Sequence, residues 1–388
     1  MALVAHASPA GAGAPPARIG AALAGAGHAV PETVVGNDAI ARRLGVDEAW
    51  IESRTGTRDR HVLAEGERLG DLAARAAEAA LGDAGVAPGD IDLVLVGTTS
   101  ADEMSPHAAP LVAGALGIHG AAAIDLSAAC TGFLSGLALG GAMIETGRAR
   151  AALVIGADGL TRYLDGDDRG TAMLFGDGAG AVVLTAADPA AGIGPVALHS
   201  DPDGRDLIRL GRDDLRIRMD GPVVFRHAVR LMVDVTREAL EAAGAGLDDI
   251  DVFVYHQANS RIIGAVVREL GADPERVVDV VARFANTSAA SIPIALSVAA
   301  AEGRLAAGDT VLLAAFGAGL VWGGTVATWR PGSSPSPADS RPSARAWPSA
   351  SSARGSSSAT RPTTPTAPSA RRSAPTRPAS SSTAPTAG

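Results

Sequence analysis

The sequence contains a single cysteine, Cys130, within the stretch DLSAACTGF (125–133). Small residues surround it, so a substrate can approach closely, and residues 130–146 read as an apolar helix beginning near the thiol. Unpaired N–H groups at a helix N-terminus favour a thiolate, so this placement predicts a nucleophile with a lowered pKa. A lone cysteine is more often a small buried hydrophobe, and that interpretation stays open at this point.

Two polar segments in the second half of the chain carry groups that suit thiol chemistry. His256 follows the apolar run DVFVY (251–255), and open α/β sheets bind ligands where their strands end. Asn286 lies in FANTSAASIP (284–293). Both side chains can donate hydrogen bonds to a developing oxyanion without adding negative charge. The alternatives are a structural histidine and a helix N-cap at Ser288.

Two further segments are rich in glycine. FGAGLVWGG (316–324) follows one predicted strand, and FGDGAGAVVL (175–184) leads into another. In the first, glycine permits backbone conformations that aim N–H groups into a cavity. The second predicts a tight turn at 176–180. Neither matches a nucleotide-binding loop, because the GxxxxGK[ST] motif is absent and a strand stands where the dinucleotide fingerprint needs a helix.

An alternation of helices and strands over residues 18–330 must position these groups. An amphipathic helix is predicted over 69–85, and buried strands are predicted over 91–97, 151–158, 182–184, 251–255 and 310–316. The segments 79–92 and 238–251 share seven of fourteen residues at an offset of 159, which also places 151–157 on 310–316. This repeat predicts a duplicated α/β domain whose halves contribute groups to one site.

Composition limits the classes of function. The chain of 388 residues is 47% hydrophobic, which is enough for a large core. A net charge of −9, with no lysine and no basic stripe, disfavours nucleic-acid binding. One cysteine excludes an intramolecular disulfide and a cysteine-based zinc cluster, and it fits a reducing cytoplasm. We find no metal motif, no signal peptide and no membrane-spanning stretch.

The sequence divides into four parts. Residues 1–17 and 331–388 are predicted to be disordered, the first being an N-terminal extension and the second a tail rich in Pro, Ser, Ala and Arg. The tail lacks Leu, Ile, Val, Phe and Met and holds 11 of the 24 prolines, so it cannot bury enough apolar surface to order. Between them, residues 18–187 form the half with the nucleophile and residues 188–330 the half with the histidine and asparagine.

The motifs AACTGF, RGTAMLFGDGAGAVVL, HQAN, NTSAASIP and FGAGLVWG, in this order, resemble the β-ketoacyl-acyl carrier protein synthase III family of thiolase-like condensing enzymes. The resemblance covers about residues 18–330. It implies a five-layered α-β-α-β-α fold from two related halves and a cytoplasmic homodimer. The implied reaction condenses an acyl-CoA primer with malonyl-acyl carrier protein, in fatty acid or type II polyketide biosynthesis. No cofactor is expected, because acyl-CoA is a substrate.

The resemblance also implies roles for residues at matching positions. Cys130 matches the acylated nucleophile, and His256 and Asn286 match the pair that stabilises the enolate formed as malonyl loses CO2. The backbone N–H groups of Cys130 and Ala318 match the oxyanion hole. Residues that match the coenzyme A channel are Trp50 and Arg54 at the adenine, Arg162 on the other face of that ring, and Gly221, Phe225 and Asn259 along the pantetheine arm. Arg261, with Arg268 beside it, matches cations that dock acyl carrier protein.

Alternatives to this reading concern the acceptor and the class of protein. An acyltransferase of the same fold would move the acyl group from Cys130 to a hydroxyl or a carrier protein, but simple transfer does not need Asn286. A thiolase would need a second catalytic cysteine, and a binding module would never acquire an acyl group. The resemblance also implies that the loop 101–107 helps to close the acyl pocket across the dimer. Ser105 in this loop stands where the family often has an aromatic residue, which predicts room for a longer or branched primer.

Overall fold

The computed structural model describes residues 19–332, where strands and helices alternate as the sequence predicts. The strands are β1 (Gly20–Ala29), β2 (Val34–Gly36), β3 (Asp59–His61), β4 (Leu93–Gly97), β5 (Ala122–Leu126), β6 (Ala151–Asp158), β7 (Gly178–Ala187), β8 (Ala197–Ser200), β9 (Ile208–Leu210), β10 (Ile217–Met219), β11 (Val252–Tyr255), β12 (Thr310–Gly317) and β13 (Val321–Thr328). The helices are α1 (Asn37–Leu44), α2 (Glu48–Thr55), α3 (Leu69–Ala84), α4 (Ala108–Ala115), α5 (Gly132–Glu145), α6 (Gly221–Ala243), α7 (Ser260–Leu270), α8 (Val281–Phe284) and α9 (Ser291–Ala301). The two predicted disordered segments, apart from residues 331 and 332, lie outside the described residues.

Two sheets repeat the same strand order. In the first sheet the order is β1-β7-β6-β4-β5, and in the second it is β8-β13-β12-β11. Beside β11, Phe253 forms a single parallel bridge with Val277, at the place that β5 occupies beside β4. The offset of 159 maps β6 onto β12, residues 151–158 onto 310–317. The predicted duplication of strands is therefore visible in the topology, and the predicted boundary after residue 187 falls between β7 and β8.

Five layers result from the way in which helices cover the sheets. Helices α3 and α4 pack on the outer face of the first sheet. Helices α5 and α9 lie between the two sheets and share one core with both. Helices α6 and α7 cover the outer face of the second sheet. This order confirms the predicted α-β-α-β-α fold.

The apolar patterns of the elements explain their places in these layers. Strand β6, AALVIGAD, is buried at every position, because helices cover both faces of its sheet. Helix α5, GFLSGLALGGAMIE, is apolar on most sides because it lies between the two sheets. Helix α3 buries only one stripe, since its other side faces solvent. The two central helices, α5 and α9, are thus apolar on most sides, and the turns that precede them are held inside the protein.

Glycines allow these two turns to approach the strand ends. A Cβ on Gly97, at the end of β4, would lie 2.6 Å from the carbonyl carbon of Gly132. A Cβ on Gly156 in β6 would lie 2.0 Å from the carbonyl oxygen of Ala289. Neither contact tolerates a side chain, so glycine brings both turns against the first sheet.

The predicted tight turn at 176–180 is wrong in part. Gly178 and Gly180 belong to β7, and the strand begins without a turn at those two residues. The reason for glycine there is packing, because a Cβ on Gly180 would lie 2.6 Å from the backbone nitrogen of Ile294 in α9.

Candidate active site

Cys130 lies in a single 3-10 turn, Ala129–Thr131, directly before α5. Ala129 adopts a φ of 45°, and the thiol borders a cavity. Burial raises the pKa of Cys130 to about 11, and the charge of Asp158 adds to the effect. The predicted lowering of this pKa is wrong for the free protein, because desolvation outweighs the donors that favour a thiolate.

Several donors nonetheless converge on the sulfur. The backbone N–H groups of Cys130 and Ala318 are hydrogen-bonded to it, and Ser288 Oγ lies 3.5 Å from Sγ. Gly317 gives the sulfur its space, because a Cβ there would lie 2.9 Å from the Cβ of Cys130. Two N–H groups beside one nucleophilic atom suit the oxygen of a tetrahedral intermediate, so the geometry is compatible with the predicted oxyanion hole.

His256 follows β11 and is buried. Its Nδ1 lies 2.6 Å from Ser291 Oγ, which also accepts a hydrogen bond of 3.3 Å from the N–H of Gln257. We therefore assign the hydroxyl proton of Ser291 to Nδ1, which places the ring proton on Nε2. Burial lowers the pKa of His256 to about 4, so the imidazole is a neutral donor at neutral pH.

Asn286 is held by its backbone and by its side-chain oxygen. Its N–H donates to Leu174 O at 2.9 Å, and its carbonyl accepts from the N–H of Gly176 at 3.0 Å. Its Oδ1 accepts from the N–H of Ser288 at 2.8 Å, so the Nδ2 donors are the end of the amide available to a ligand. Ser288 does not cap a helix, because the residue before α9 is Ala290.

One cavity of about 680 Å³ brings the four predicted catalytic residues together. Cys130, His256, Asn286 and Ala318 all border it. Apolar side chains make up much of the remaining wall near the thiol: Leu160, Met173, Leu174, Phe175 and Phe316. A deep apolar cavity with a few convergent polar groups is the usual form of a small-molecule site.

Five of the six residues predicted for coenzyme A border the same cavity: Trp50, Arg54, Gly221, Phe225 and Asn259. The Arg54 guanidinium stacks on the indole of Trp50 at 4.1 Å from the ring centroid. Asn259 caps α7 through Oδ1 and donates from Nδ2 to Arg54 O at 2.9 Å. Asn259 therefore anchors the backbone that presents the stacked pair.

Arg162 does not border this cavity. Its guanidinium donates to Asp102 Oδ1 at 3.0 Å and to Glu67 O at 2.6 Å. The arginine that borders the cavity with Trp50 is Arg169, whose side chain donates only to a carbonyl, Leu44 O, at 2.8 and 3.0 Å. The structure thus places Arg169, which the sequence analysis did not single out, where Arg162 was expected.

Arg261 and Arg268 lie on one exposed side of α7. Arg261 borders the cavity and its guanidinium lies 5.5 Å from the ring centroid of Phe225. Arg268 is exposed, and its side chain lies over Gly264, one turn earlier in the helix. A Cβ on Gly264 would be 3.4 Å from Nη1 of Arg268. The pair leads from the protein surface to the cavity entrance.

Three further side chains lie near the site without a catalytic role in the sequence analysis, which named Ser288 only as a possible helix N-cap. Ser288 and Ser291 contact the sulfur and the imidazole, and Asp158 lies behind the nucleophile. Gln257, the residue after His256, is structural: its Nε2 donates to Tyr255 O, and its Oε1 accepts from the N–H of Val280. In the sequence, only the position of Gln257 close behind a predicted strand could be recognised.

Residues 19–332 contain no group of three or more histidine, cysteine, aspartate or glutamate side chains placed to hold a metal ion. Within the same residues, no helix is long and apolar enough to cross a membrane.

Comparisons with known proteins place this geometry among related chains. Residues 124–202 match the family model described as 3-oxoacyl-[acyl-carrier-protein] synthase III, and residues 240–329 match the model of its C-terminal part. A β-ketoacyl-[acyl-carrier-protein] synthase III of Streptomyces coelicolor is 49% identical over 80% of this chain and 94% of its own length. A relative of the same name from Bradyrhizobium diazoefficiens is 46% identical over 80% of this chain and 99% of its own.

Solved structures agree in fold. The 3-oxoacyl-(acyl carrier protein) synthase III of Pseudomonas aeruginosa PAO1 superposes with a TM-score of 0.76 at 44% identity, over 80% of this chain and 98% of that chain. The priming β-ketosynthase of the R1128 polyketide pathway gives a TM-score of 0.79 at 35% identity, over 83% of this chain and 99% of that one.

Proposed function

The chain belongs to the 3-oxoacyl-[acyl-carrier-protein] synthase III family, and from this premise we propose how its cavity performs the reaction. It is an acyltransferase that condenses acyl units in fatty acid or polyketide biosynthesis. The observation that carries the proposal is one cavity bordered by Cys130, His256, Asn286 and Ala318, which come from both halves of the chain.

In the first step, Cys130 attacks the thioester of an acyl-CoA. The acyl group moves to Sγ and coenzyme A leaves as a thiol, which divides one difficult condensation into two easier steps. The negative oxygen of the tetrahedral intermediate accepts hydrogen bonds from the N–H groups of Cys130 and Ala318. Both donors belong to the backbone, so they are already oriented before the substrate binds.

In the second step, a malonyl group on acyl carrier protein loses CO2 in the same cavity. The charge moves to the thioester oxygen, which accepts hydrogen bonds from His256 Nε2 and Asn286 Nδ2. Both donors are neutral, so the departing carboxylate gains no ion pair that would hold it back. The apolar wall disfavours that carboxylate and favours its loss as CO2. The resulting enolate attacks the acyl carbonyl on Cys130, and as the carbon–carbon bond forms the carbon–sulfur bond breaks. This gives the β-ketoacyl product on acyl carrier protein, and the released Cys130 sulfur takes up a proton to restore the free thiol.

Recognition of the two substrates uses the arginines at the cavity entrance. We assign Trp50, Arg54 and Arg169 to the adenine and phosphates of coenzyme A. The indole and the Arg54 guanidinium offer a surface on which the adenine can stack. The guanidinium of Arg169 donates to a carbonyl oxygen and not to a carboxylate, so its charge is available to a phosphate. We assign Arg261 and Arg268 to the acidic carrier protein. A local basic surface is needed because the whole chain carries a net charge of −9.

We further propose that the enzyme is a homodimer. Strand β5 ends the first sheet and has half-exposed or exposed positions throughout, which is unusual for a central parallel sheet. The loop 101–107, helix α4 and β5 each expose an apolar side chain: Met104, Leu111 and Ile124. A second copy that pairs its β5 with this strand would cover all three. We also propose a cytoplasmic location, where a lone thiol stays reduced, and a reaction without a cofactor.

The proposal is tested by incubating the protein with a panel of acyl-CoAs and following the mass of the Cys130 peptide. Malonyl-acyl carrier protein is then added, and CO2 and β-ketoacyl product are measured. We expect His256→Ala and Asn286→Ala to form the acyl-enzyme but to release CO2 at least about 100-fold more slowly. Acyl transfer to another acceptor without CO2 release would favour the alternative acyltransferase, and absence of any acyl mass on Cys130 would exclude both.

A further inference from the structure

A buried carboxylate lies behind the nucleophile, and the steps above do not use it. Asp158 ends β6 and is completely buried. Its Oδ1 accepts hydrogen bonds from the hydroxyls of Thr98 (3.3 Å), Thr99 (3.1 Å) and Ser100 (2.7 Å) and from the N–H of Thr99 (2.9 Å). Its Oδ2 accepts from the N–H of Ala289 at 3.3 Å. All these donors are neutral, so the carboxylate is solvated by the protein without a cation.

Ser288 connects this carboxylate to the sulfur. Its Oγ lies 3.5 Å from Cys130 Sγ and is also hydrogen-bonded to the Asp158 carboxylate. A serine hydroxyl has one proton and can accept as well as donate. With a neutral thiol, Ser288 donates to Asp158 and accepts from the S–H group. With a thiolate, it donates to the sulfur. The proton positions of the three groups are therefore linked.

The backbone at Ser288 is strained. Its φ is 53°, in the region that favours glycine. The offset of 159 relates Ser288 to Ala129, whose φ is 45°, so the same turn occurs before Cys130 and before α9. Strained backbone of this kind persists where the surrounding structure requires the geometry, often at functional sites. Here the repeated turn brings a hydroxyl from the second half to the thiol of the first.

We propose that Cys130, Ser288 and Asp158 form a proton relay that shares one negative charge between the sulfur and the carboxylate. As the sulfur–carbon bond to the acyl group forms, the S–H bond breaks and its proton passes to Ser288 Oγ. The hydroxyl proton of Ser288 passes to the Asp158 carboxylate. The same route then returns a proton to the departing coenzyme A thiolate and restores the carboxylate. Ser288 contacts the reacting atom and is a catalytic residue, whereas Asp158 acts through it.

Burial makes such a transfer favourable relative to loss of the proton to solvent. It raises the pKa of Cys130 to about 11, and it also raises the pKa of Asp158. A thiolate beside an ionised Asp158 would place two negative charges in a desolvated site. Proton transfer among Cys130, Ser288 and Asp158 keeps one negative charge in the site, because the proton that leaves the sulfur neutralises the carboxylate.

The other titratable groups around the trio do not replace Asp158 as the acceptor. His256 lies across the cavity, and burial keeps it neutral by lowering its pKa to about 4. Asp177 accepts from the hydroxyl of Thr161, at 2.5 Å, and not from Ser288. Arg162, near Gly159, is paired with Asp102. Asp158 is the carboxylate that Ser288 contacts.

The single cysteine makes the relay measurable without a substrate. We follow alkylation of Cys130 by iodoacetamide from about pH 7 to pH 9. Internal transfer does not involve solvent protons, so the wild-type rate should stay flat across this range. In Asp158→Asn, thiolate forms only by loss of a proton to solvent, so the rate should rise about tenfold per pH unit. Asp177→Asn, which replaces a buried carboxylate away from the sulfur, should keep the flat profile.

A second pair of variants tests the hydroxyl. Ser288→Ala removes one oxygen and should slow acylation by acyl-CoA near pH 7 by about 100-fold, a deficit that shrinks as the pH rises. Ser297→Ala, a matched change at another buried serine, should acylate like the wild type. The double variant Asp158→Asn/Ser288→Ala should be no slower than the slower single variant, because the relay needs both groups.

The relay rests on the proposed role of Cys130 as the acylated nucleophile, and these experiments test the two proposals separately. A wild-type alkylation rate that rises tenfold per pH unit would overturn the relay, as would an Asp158→Asn variant with a flat profile. If Asp158→Asn does not fold, Ser288→Ala alone decides, and wild-type acylation in that variant rejects the proposal. Failure of every acyl-CoA to acylate Cys130 would instead reject the proposed function and leave the alkylation profiles to judge the relay.

Discussion

At the scale of residues, burial sets the charge state of each group that we assign to catalysis. Desolvation raises the pKa of Cys130 to about 11 and lowers that of His256 to about 4, so both are neutral near pH 7. Ser291 orients the imidazole, and Ser288 fixes the Oδ1 end of Asn286. The cavity therefore offers neutral donors to a negative transition state, and its thiol is mostly uncharged in the free protein near pH 7.

The buried imidazole has a measurable consequence for stability. The pKa of His256 is about 4 in the folded protein and about 6.5 when unfolded, so the unfolded state binds the proton first as the pH falls. The free energy of unfolding should therefore decrease by about 3 kcal/mol between pH 6.5 and pH 4 on account of this group, at about 1.4 kcal/mol per unit of pKa. Urea denaturation at a series of pH values measures it.

The variant His256→Gln isolates that contribution. The wild-type loss of stability below pH 6.5 should exceed that of the variant by the stated amount, and the same substitution at the exposed His119 serves as the control. Parallel curves for the wild type and His256→Gln would contradict the expected titration.

Individual residues also show where sequence reasoning stops. That Cys130, His256 and Asn286 border one cavity could be predicted, because each residue type suits one chemical task and stands in a distinctive motif. Arg162 and Arg169 share one short segment, and the sequence alone does not show which of them faces the cavity. A 3-10 turn, Leu160–Tyr163, carries Arg162 to Asp102 instead. Asp158 was missed because an aspartate at a strand end is common, and its contacts come from distant segments.

At the scale of elements, the internal repeat was the most informative sequence signal. The offset of 159 placed β6 on β12 without gaps, and the duplicated topology follows from it. The side chain of Gln257 could not be interpreted in this way. It bonds Tyr255 O, Val278 O and the N–H of Val280, and so ties the segment beside β11 to the second sheet. Such long-range bonds have no local pattern in the sequence.

The turn between α8 and α9 carries strain that can be removed. Ala285, directly before Asn286, has φ 56° and ψ −158°, a conformation that is nearly confined to glycine. Strain of this kind destabilises the folded state by about 1–3 kcal/mol. Glycine relieves it, but the greater freedom of glycine in the unfolded chain reduces the gain in stability by up to about 1 kcal/mol. We expect Ala285→Gly to raise the free energy of unfolding by about 1 kcal/mol, as measured in urea.

The control for this change is Ala282→Gly in the preceding helix α8. Ala282 has helical backbone, so glycine there should lower the stability by about 1 kcal/mol. Equal destabilisation by both variants would mean that the backbone at Ala285 is not strained.

At the scale of the whole molecule, the first sheet has an edge that a single chain leaves uncovered. Strand β5 pairs with β4 on one side only, and the side chain of Ile124 is 44% exposed. Open, apolar strand edges favour pairing with another chain. The loop 101–107 does not border the cavity of its own chain, although the resemblance assigns it to the acyl pocket. Both observations are explained if a second copy pairs at β5 and contributes its loop.

A charge on the β5 edge should therefore separate the two copies. We expect Ile124→Asp to convert the protein from dimer to monomer, as measured by light scattering after size exclusion, because a carboxylate would be buried in the interface without a partner. Acylation should fall with dissociation, since the pocket would lose the loop of its partner. Leu198, which is 43% exposed on β8 of the second sheet, gives the matched variant Leu198→Asp, which should remain dimeric. A wild-type protein that is monomeric at micromolar concentration, or an Ile124→Asp variant that stays dimeric, would place the interface elsewhere.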